Sequence, residues 1–201
     1  MAKISLTKGE LKTQRDALKR FTRYLPTLQL KKQQLQLEVR RARERLAEAR
    51  SEADAVRADA EAWAGLIDEE SAHHLGSLVS VRECRIEWRN IAGIEVPYLD
   101  DVSLDVQEYD PFDRPLWYPE AIALIRDMLE KELRRLLLEE QVRRIEDELR
   151  TTTQRVNLFE KVKIPETREN IRVIQIYLGD QQANAVARAK IAKGKAQARA
   201  Q

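Results

Sequence analysis

Apolar side chains recur every seven residues along the first third of the chain. One series runs Leu11, Leu18, Leu25, Lys32, Val39, Leu46, Ala53, Ala60 and Ile67, and a second runs Gln14, Phe21, Leu28, Leu35, Ala42, Ala49, Val56 and Trp63. The two series stand three and four residues apart, which is the a/d seam of a left-handed coiled coil rather than the broader stripe of a globular surface helix. Only Gln14 and Lys32 are polar. The predicted seam is therefore built on Leu11, Leu18, Phe21, Leu25, Leu28, Leu35, Val39, Leu46, Val56, Trp63 and Ile67. One such helix cannot bury its own stripe, so the pattern requires a partner helix of similar length.

The segment 1–75 reads as the first long helix. Thr7 followed by Glu10 has capping-box spacing, and Ser5 is a second candidate cap. About seventy residues rising ~1.5 Å each would give a rod on the order of 100 Å. Pro26 removes a backbone donor and predicts a kink. Through 42–60 the seam is mostly alanine, which lets a partner backbone approach closely.

The helical period stops between 76 and 118, which reads as a small head. Asn90 and Gly93 punctuate a short hairpin that Val96 and Pro97 close, and Val102, Leu104 and Val106 alternate as in a strand. Residues 80–88 fit no single period, and the three prolines of 110–119 mark a loop.

Helical spacing resumes over 119–190. Ile122, Ile125, Leu129, Leu133 and Leu136 form a first stripe, and after a slip in phase Leu138, Val142, Ile145, Leu149, Thr152, Val156 and Phe159 restore the four-and-three spacing. Beyond Pro165 the stripe continues through Ile171, Ile174 and Leu178. Residues 191–201 read as a basic, frayed helix end. The expected fold is mainly α: a long antiparallel two-helix coiled coil carrying a small head with a short β-hairpin. Pairing that sets residue 75 level with residue 119 would place Pro26 and Pro165 at nearly one height and give the two helices a shared bend.

Composition agrees with an extended helical chain, since 35% of residues are charged and only 5% aromatic. Lys and Arg (36) nearly balance Asp and Glu (34), so the chain as a whole lacks the signature of a polyanion binder, and no nucleic-acid partner is expected. Acids at Glu38, Glu44 and Glu48 interleave with Arg40, Arg41, Arg43 and Arg45, which favours a salt-bridge-laced exterior over a phosphate track. The single cysteine, Cys84, excludes an internal disulfide framework, and no apolar run is long enough for a direct membrane span. No P-loop spacing occurs. His73 and His74 are adjacent and point to different helix faces. Glu69 with Glu70 and Asp100 with Asp101 are paired in sequence only. No catalytic group, cofactor or metal is expected.

Three stretches together resemble a known family. Arg155-Val156-Asn157-Leu158-Phe159-Glu160, followed by Ile164-Pro165 and Asn170-Ile171, is similar to the signature in the carboxyl-terminal helix of the D subunit of the V-type/A-type rotary ATPases. Residues 6–11 resemble that family's opening, and residues 90–97 its short hairpin. Phe159, Pro26 and the proline-rich 110–119 segment depart from the pattern. The resemblance implies a non-catalytic rotor axle of the central stalk, coupling ion transport, of protons for example, to ATP synthesis or hydrolysis. It implies as partners the catalytic and regulatory A and B subunits of the headpiece hexamer, the F subunit of the stalk and the C subunit, also called d, that connects to the membrane ring. The location implied is cytoplasmic, peripheral to the membrane within the complex. Carried residue by residue, Arg155, Val156, Asn157, Glu160, Ile164 and Pro165 fall on the axle signature, and Asn90, Gly93, Val96 and Pro97 on a hairpin linked in the family to stimulation of ATP hydrolysis. The alternative reading is a coiled-coil scaffold or homodimeric interaction protein.

Overall fold

The computed structural model describes residues 4–65, 67, 69–110, 112 and 114–199, with the side chains of 63, 64, 69, 70, 72, 73, 196, 198 and 199 outside the description. Helix α1 spans Lys8–Ala64 and α2 Glu69–Leu78; strands β1 (Val79–Ile91) and β2 (Ile94–Val106) follow, then α3 (Tyr118–Asn157), a π-helical segment (Leu158–Lys163) and α4 (Ile164–Arg199). The fold is mainly helical with one antiparallel hairpin. It divides into two compact units, the first made of residues 1–32 and 151–201 and the second of residues 33–150.

Thr7 caps α1: its Oγ1 accepts from the Glu10 amide at 3.2 Å and its carbonyl from the Leu11 amide at 3.0 Å. Pro26 lies inside the helix without ending it. The first helix does not run on to residue 75. It closes at Ala64 before a turn at Gly65, where the good helix formers give way, and α2 begins separately at Glu69.

In the second unit the seam of α1 is buried against α3. Leu35, Val39, Ala42, Leu46 and Ala49 form one cluster with Leu138, Val142 and Ile145, while Leu149 packs on its edge. Ala53 and Val56 continue the buried row. Leu136 does not belong to it; its side chain is exposed, because the stripe of α3 changes phase before Leu138. A second cluster joins Leu75 and Leu78 of α2 to Val79, Tyr118, Ala121 and Ile122, with Ile67 packed against it from outside any helix. Trp63, expected in the seam, has its side chain outside the described set.

Ionic contacts clasp the two helices of this unit. Arg43 meets Glu146 at 2.7 Å and Arg50 meets Glu139 at 2.8 Å; Arg135 is bound by Glu139 and Glu132, and Arg57 approaches Glu132 at 4.0 Å. The Glu139 carboxyl is held below its ordinary range, first by the Arg50 hydrogen bond, and the Arg135 guanidinium above its own by Glu132.

In the first unit Leu11, Leu18, Phe21, Leu25 and Leu28 are half-buried, and Val156, Ile164 and Ile174 are buried. The Phe21 and Phe159 rings lie 5.3 Å apart, and Asn170 Nδ2 donates to Gln14 Oε1 at 3.5 Å. These two contacts set the height of the prolines. Pro165, between Phe159 and Asn170, faces the stretch between Phe21 and Gln14, whereas Pro26 lies beyond Phe21. The shared bend is therefore corrected: the prolines stand at different heights, because the count behind it assumed one helix unbroken to residue 75.

The hairpin is longer than its sequence suggests, with thirteen residues in each strand. Register shifts between Val81 and Glu83 and between Arg85 and Ile86 break the alternation of β1. The two-residue turn places Ala92 at φ 52° and Gly93 at φ 86°, the left-handed pair of a type I′ turn, and Asn90 Oδ1 accepts from the Gly93 amide at 3.0 Å. Gly93→Ala is expected to lower unfolding free energy by about 1 kcal/mol, because a second L side chain would enter the left-handed region. Urea titration of variant and parent checks this.

Candidate functional site

Two features are positioned by this framework, a docked hairpin in the second unit and a π turn in the first. The tip of the hairpin lies against the helix pair. Val96 is fully buried among Leu35, Val39, Leu138 and Val142, with Ile91, Ala92, Ile94 and Tyr98 packed around the same cluster. The small seam residues Ala42 and Ala49 leave room for this third layer. Pro97 is buried beside Val96; a proline fits here because each strand of a two-stranded ribbon is an edge.

Polar contacts secure the tip. Gln141, 2% exposed, donates from Nε2 to the Pro97 carbonyl at 2.6 Å, while its Oε1 has no partner among the described residues. Arg144 donates to the Glu95 carbonyl at 3.3 Å and sets its guanidinium over the Trp88 ring, 4.8 Å from the centroid. Arg45 reaches the Tyr98 hydroxyl at 3.3 Å. Away from the tip, Val81 and Ile86 leave much of their apolar surface exposed, as does the outer part of Trp88.

Glu140 orients Arg144. Its carboxyl binds Arg143 and Arg144 and is lowered to about 2 by those two hydrogen bonds, Arg143 first. A carboxyl depressed on folding contributes stability above its unfolded pKa and loses it as pH falls through its folded pKa. Stability is therefore expected to decline between pH ~4.5 and about 2, and Glu140→Gln to flatten that part of a pH–stability profile measured by thermal melts. Solvent screening keeps the effect small.

Of the six residues that carry the resemblance, Glu160 lies inside the π segment and the other five flank it. Val156 and Ile164 are buried, while Arg155, Asn157, Glu160 and Pro165 are exposed. The Ile164 amide donates to the Phe159 carbonyl, five residues back. From Val156 to Phe159 is three residues, yet from Phe159 to Ile164 is five, one more than a heptad allows. The π turn absorbs that extra residue, so Ile164, Thr167, Ile171 and Ile174 return to the face set by Val156. Thr167 Oγ1 donates to the Lys163 carbonyl at 2.6 Å, closing the turn.

The remaining candidates are dispersed. His74 Nδ1 lies 2.7 Å from the Tyr118 hydroxyl. The His73 side chain and those of Glu69 and Glu70 are outside the described set. Cys84 is half-buried opposite Val102, and Asp100 approaches Arg85 at 3.9 Å. Among the described residues no three His, Cys, Asp or Glu side chains gather to hold a metal. Arg41 pairs with Glu38, Arg43 with Glu146 and Arg45 reaches Tyr98, so three of the four arginines of that cluster are engaged internally. Sequence reasoning passed over Gln141 and the π turn. The twelve-residue step from Phe159 to Ile171 signalled the turn, whereas nothing in its neighbours singled out Gln141.

A heptad-built helix pair with a hairpin docked on its side places the chain among mainly helical coiled-coil proteins. Residues 10–194 match the family described as the D subunit of ATP synthase, and the chain belongs to that family. It is 39% identical to the V-type ATP synthase D subunit of Borreliella burgdorferi over 96% of this chain and 95% of the relative. It is 35% identical to that of Chlamydia caviae over 98% and 96%, and 36% identical to that of Chlamydia muridarum over 98% and 97%. The chain is a central-stalk component of a V-type rotary ATP synthase.

Proposed function

We propose that the chain is the non-catalytic axle of this complex, and that its helix pair transmits rotation between ion flow and the nucleotide-binding headpiece. The observation that carries the reading is the heptad seam satisfied within one chain. Leu35, Val39 and Leu46 pack on Leu138, Val142 and Ile145, and Phe21 on Phe159. A torque-bearing shaft needs such interlocked side chains and no catalytic cluster of its own. The same observation disfavours a homodimeric scaffold, whose seam would await a second copy.

On this reading the terminal helices enter the hexamer of A and B subunits, the F subunit binds alongside, and the C (or d) subunit connects the stalk to the membrane ring. No described helix is long and apolar enough to cross a membrane, which suits a cytoplasmic, peripheral position in the complex. Arg155, Val156, Asn157, Glu160, Ile164 and Pro165 belong to the shaft, and Asn90, Gly93, Val96 and Pro97 to a hairpin that adjusts ATP hydrolysis.

Reconstitution of purified A, B and F subunits, with and without this chain, tests the proposal. Stable incorporation and ATP-driven rotation of a bead fixed to the chain are expected. A chain that sediments as a homodimer and leaves the headpiece unbound would refute it.

A further inference from the structure

Inside the second unit the β1–β2 ribbon is fastened at its two ends and open between them. At its base Val79 is buried, and Val106 packs beside it in the cluster of Leu75, Leu78 and Tyr118. At its tip the anchors are Val96 and Pro97. Between these points every residue of β1 from Ser80 to Asn90 is exposed except half-buried Cys84. Between β2 and the helix pair lies a cavity of about 310 Å³, with Glu48 and Glu52 of α1, Leu99 of β2 and Arg134 and Leu137 of α3 in its wall. The tip therefore docks through a small contact, and the middle of β1 adds almost no buried surface to hold it down.

The polar contacts at the tip are ones that release can replace. Gln141 gives its Nε2 to the Pro97 carbonyl at 2.6 Å, but Oε1 of the same side chain is shut off from solvent and has no partner among the described residues. Docking thus gains one hydrogen bond and strands one acceptor, whereas release gives both atoms to water. The Arg144 bond to the Glu95 carbonyl is long, 3.3 Å, and this guanidinium keeps Glu140 at 2.7 Å when the tip departs. Arg45 likewise reaches Tyr98 at 3.3 Å while holding the Arg41 carbonyl of its own helix. Each body also closes its own bonds. The hairpin has Asn90 on the Gly93 amide and Arg89 over the Tyr98 ring, and the helices have Arg43 on Glu146 and Arg50 on Glu139. Parting them costs mainly the apolar contact of Val96 and its neighbours, a local loss that leaves α1 packed on α3.

We infer that the hairpin tip is a releasable latch: residues 89–98 lift from α1 and α3 as a unit while the two helices stay packed. Opening bares Val96 on the ribbon and Leu35, Val39, Leu138 and Val142 on the helices, apolar surfaces that draw the tip back. Where the hairpin adjusts ATP hydrolysis, this opening is the moving part, and that link rests on the stalk reading above. The latch itself is a property of the chain alone.

Pulsed thiol labelling of the full-length chain tests this. Cys84→Ser removes the native thiol, and Val96→Cys or Ile145→Cys then places one reporter at the tip or between the helices, both at fully buried positions. The tip reporter is expected to react about a hundredfold or more faster than the helix reporter and about tenfold or more slower than a thiol of the unfolded chain, at a rate insensitive to urea below about 1 M. Adding Arg144→Gln to the tip reporter should speed labelling about fivefold, and adding Arg150→Gln, at an exposed position of α3, should change it less than about twofold. Hydrogen exchange of the α1 and α3 amides in the Val96→Cys chain gives the global reference should Ile145→Cys fail to fold. Tip and helix reacting at one rate with one urea dependence overturns the latch, because the ribbon then opens only when the helices unfold. A tip thiol as reactive as that of the unfolded chain overturns it as well, because nothing is then docked. In complexes with the A, B and F subunits, Arg144→Gln should change the rate of ATP hydrolysis about twofold or more and Arg150→Gln should not. Faster labelling in Arg144→Gln with equal hydrolysis in all complexes overturns the link to hydrolysis while sparing the stalk reading. Failure of the parent to join the headpiece overturns the stalk reading and that link together, and the labelling still decides the latch.

Discussion

Deleting Lys161 in combination with Pro165→Ala is expected to leave the first unit folded, whereas deleting Arg150 is expected to unfold it. The contrast follows from phase. Lys161 lies in the π segment, whose extra residue displaces the heptad by one; its removal brings Phe159, Ile164, Thr167, Ile171 and Ile174 into an unbroken four-and-three series on an ordinary α-helix. The accompanying proline change matters because a proline in a helix interior costs about 3 kcal/mol once the wide turn is gone. Removing Arg150 instead rotates everything after it by about 100°. Thr152, Val156, Ile164 and Ile174, all buried, would then leave the seam. At about 2 kcal/mol or more for each apolar side chain ejected, such a loss exceeds the margin of a typical domain. Thermal melts followed by circular dichroism distinguish the two. Equal destabilisation by both deletions would show that the π turn is not a phase correction.

Val96→Asp is expected to detach the hairpin without melting the helices. Val96 is fully buried in an apolar cluster drawn from both long helices, and the arginines beside the strand tip are already engaged, Arg144 with the Glu95 carbonyl and the Trp88 ring and Arg45 with the Tyr98 hydroxyl. Burying that charge unpaired would cost about 3–5 kcal/mol, so the strand tip lifts into water instead. Hydrogen exchange should then accelerate across the β1–β2 ladder while α1 and α3 keep their protection. With the tip released, Gln141 loses its Pro97 acceptor and gains water at both polar atoms. An ATPase assay of the reconstituted complex would report whether a detached hairpin changes hydrolysis. Unaltered exchange in the ladder would mean that the buried tip is not what holds the ribbon in place.

Much of this architecture was legible in the heptads. From Leu11 to Ala60 each seam position proves buried or half-buried, because a long helix with a narrow apolar stripe has few ways to satisfy it. The end of α1 was less visible, since Leu66 and Ile67 prolong the apolar pattern past Gly65 while the helix stops. The strands were shortened in the reading because two register shifts scramble the alternation that marks a strand. Docking of the hairpin could not be read at all: Gln141 is polar, and its burial is created by Pro97, 44 residues away.

On the proposed axle reading, the π segment also bears on how the chain would respond to torque. Along a regular helix, twist is resisted by a ladder of bonds closed every four residues. At Leu158–Lys163 that ladder is replaced by a wider turn closed at five, with the Ile164 amide on the Phe159 carbonyl and Pro165 supplying no amide of its own. Torsional strain under load concentrates where resistance is lowest. The turn that keeps the seam in phase is thus expected to yield to torsion more readily than the regular helix on either side, and the deletion that straightens it to make the shaft a stiffer spring.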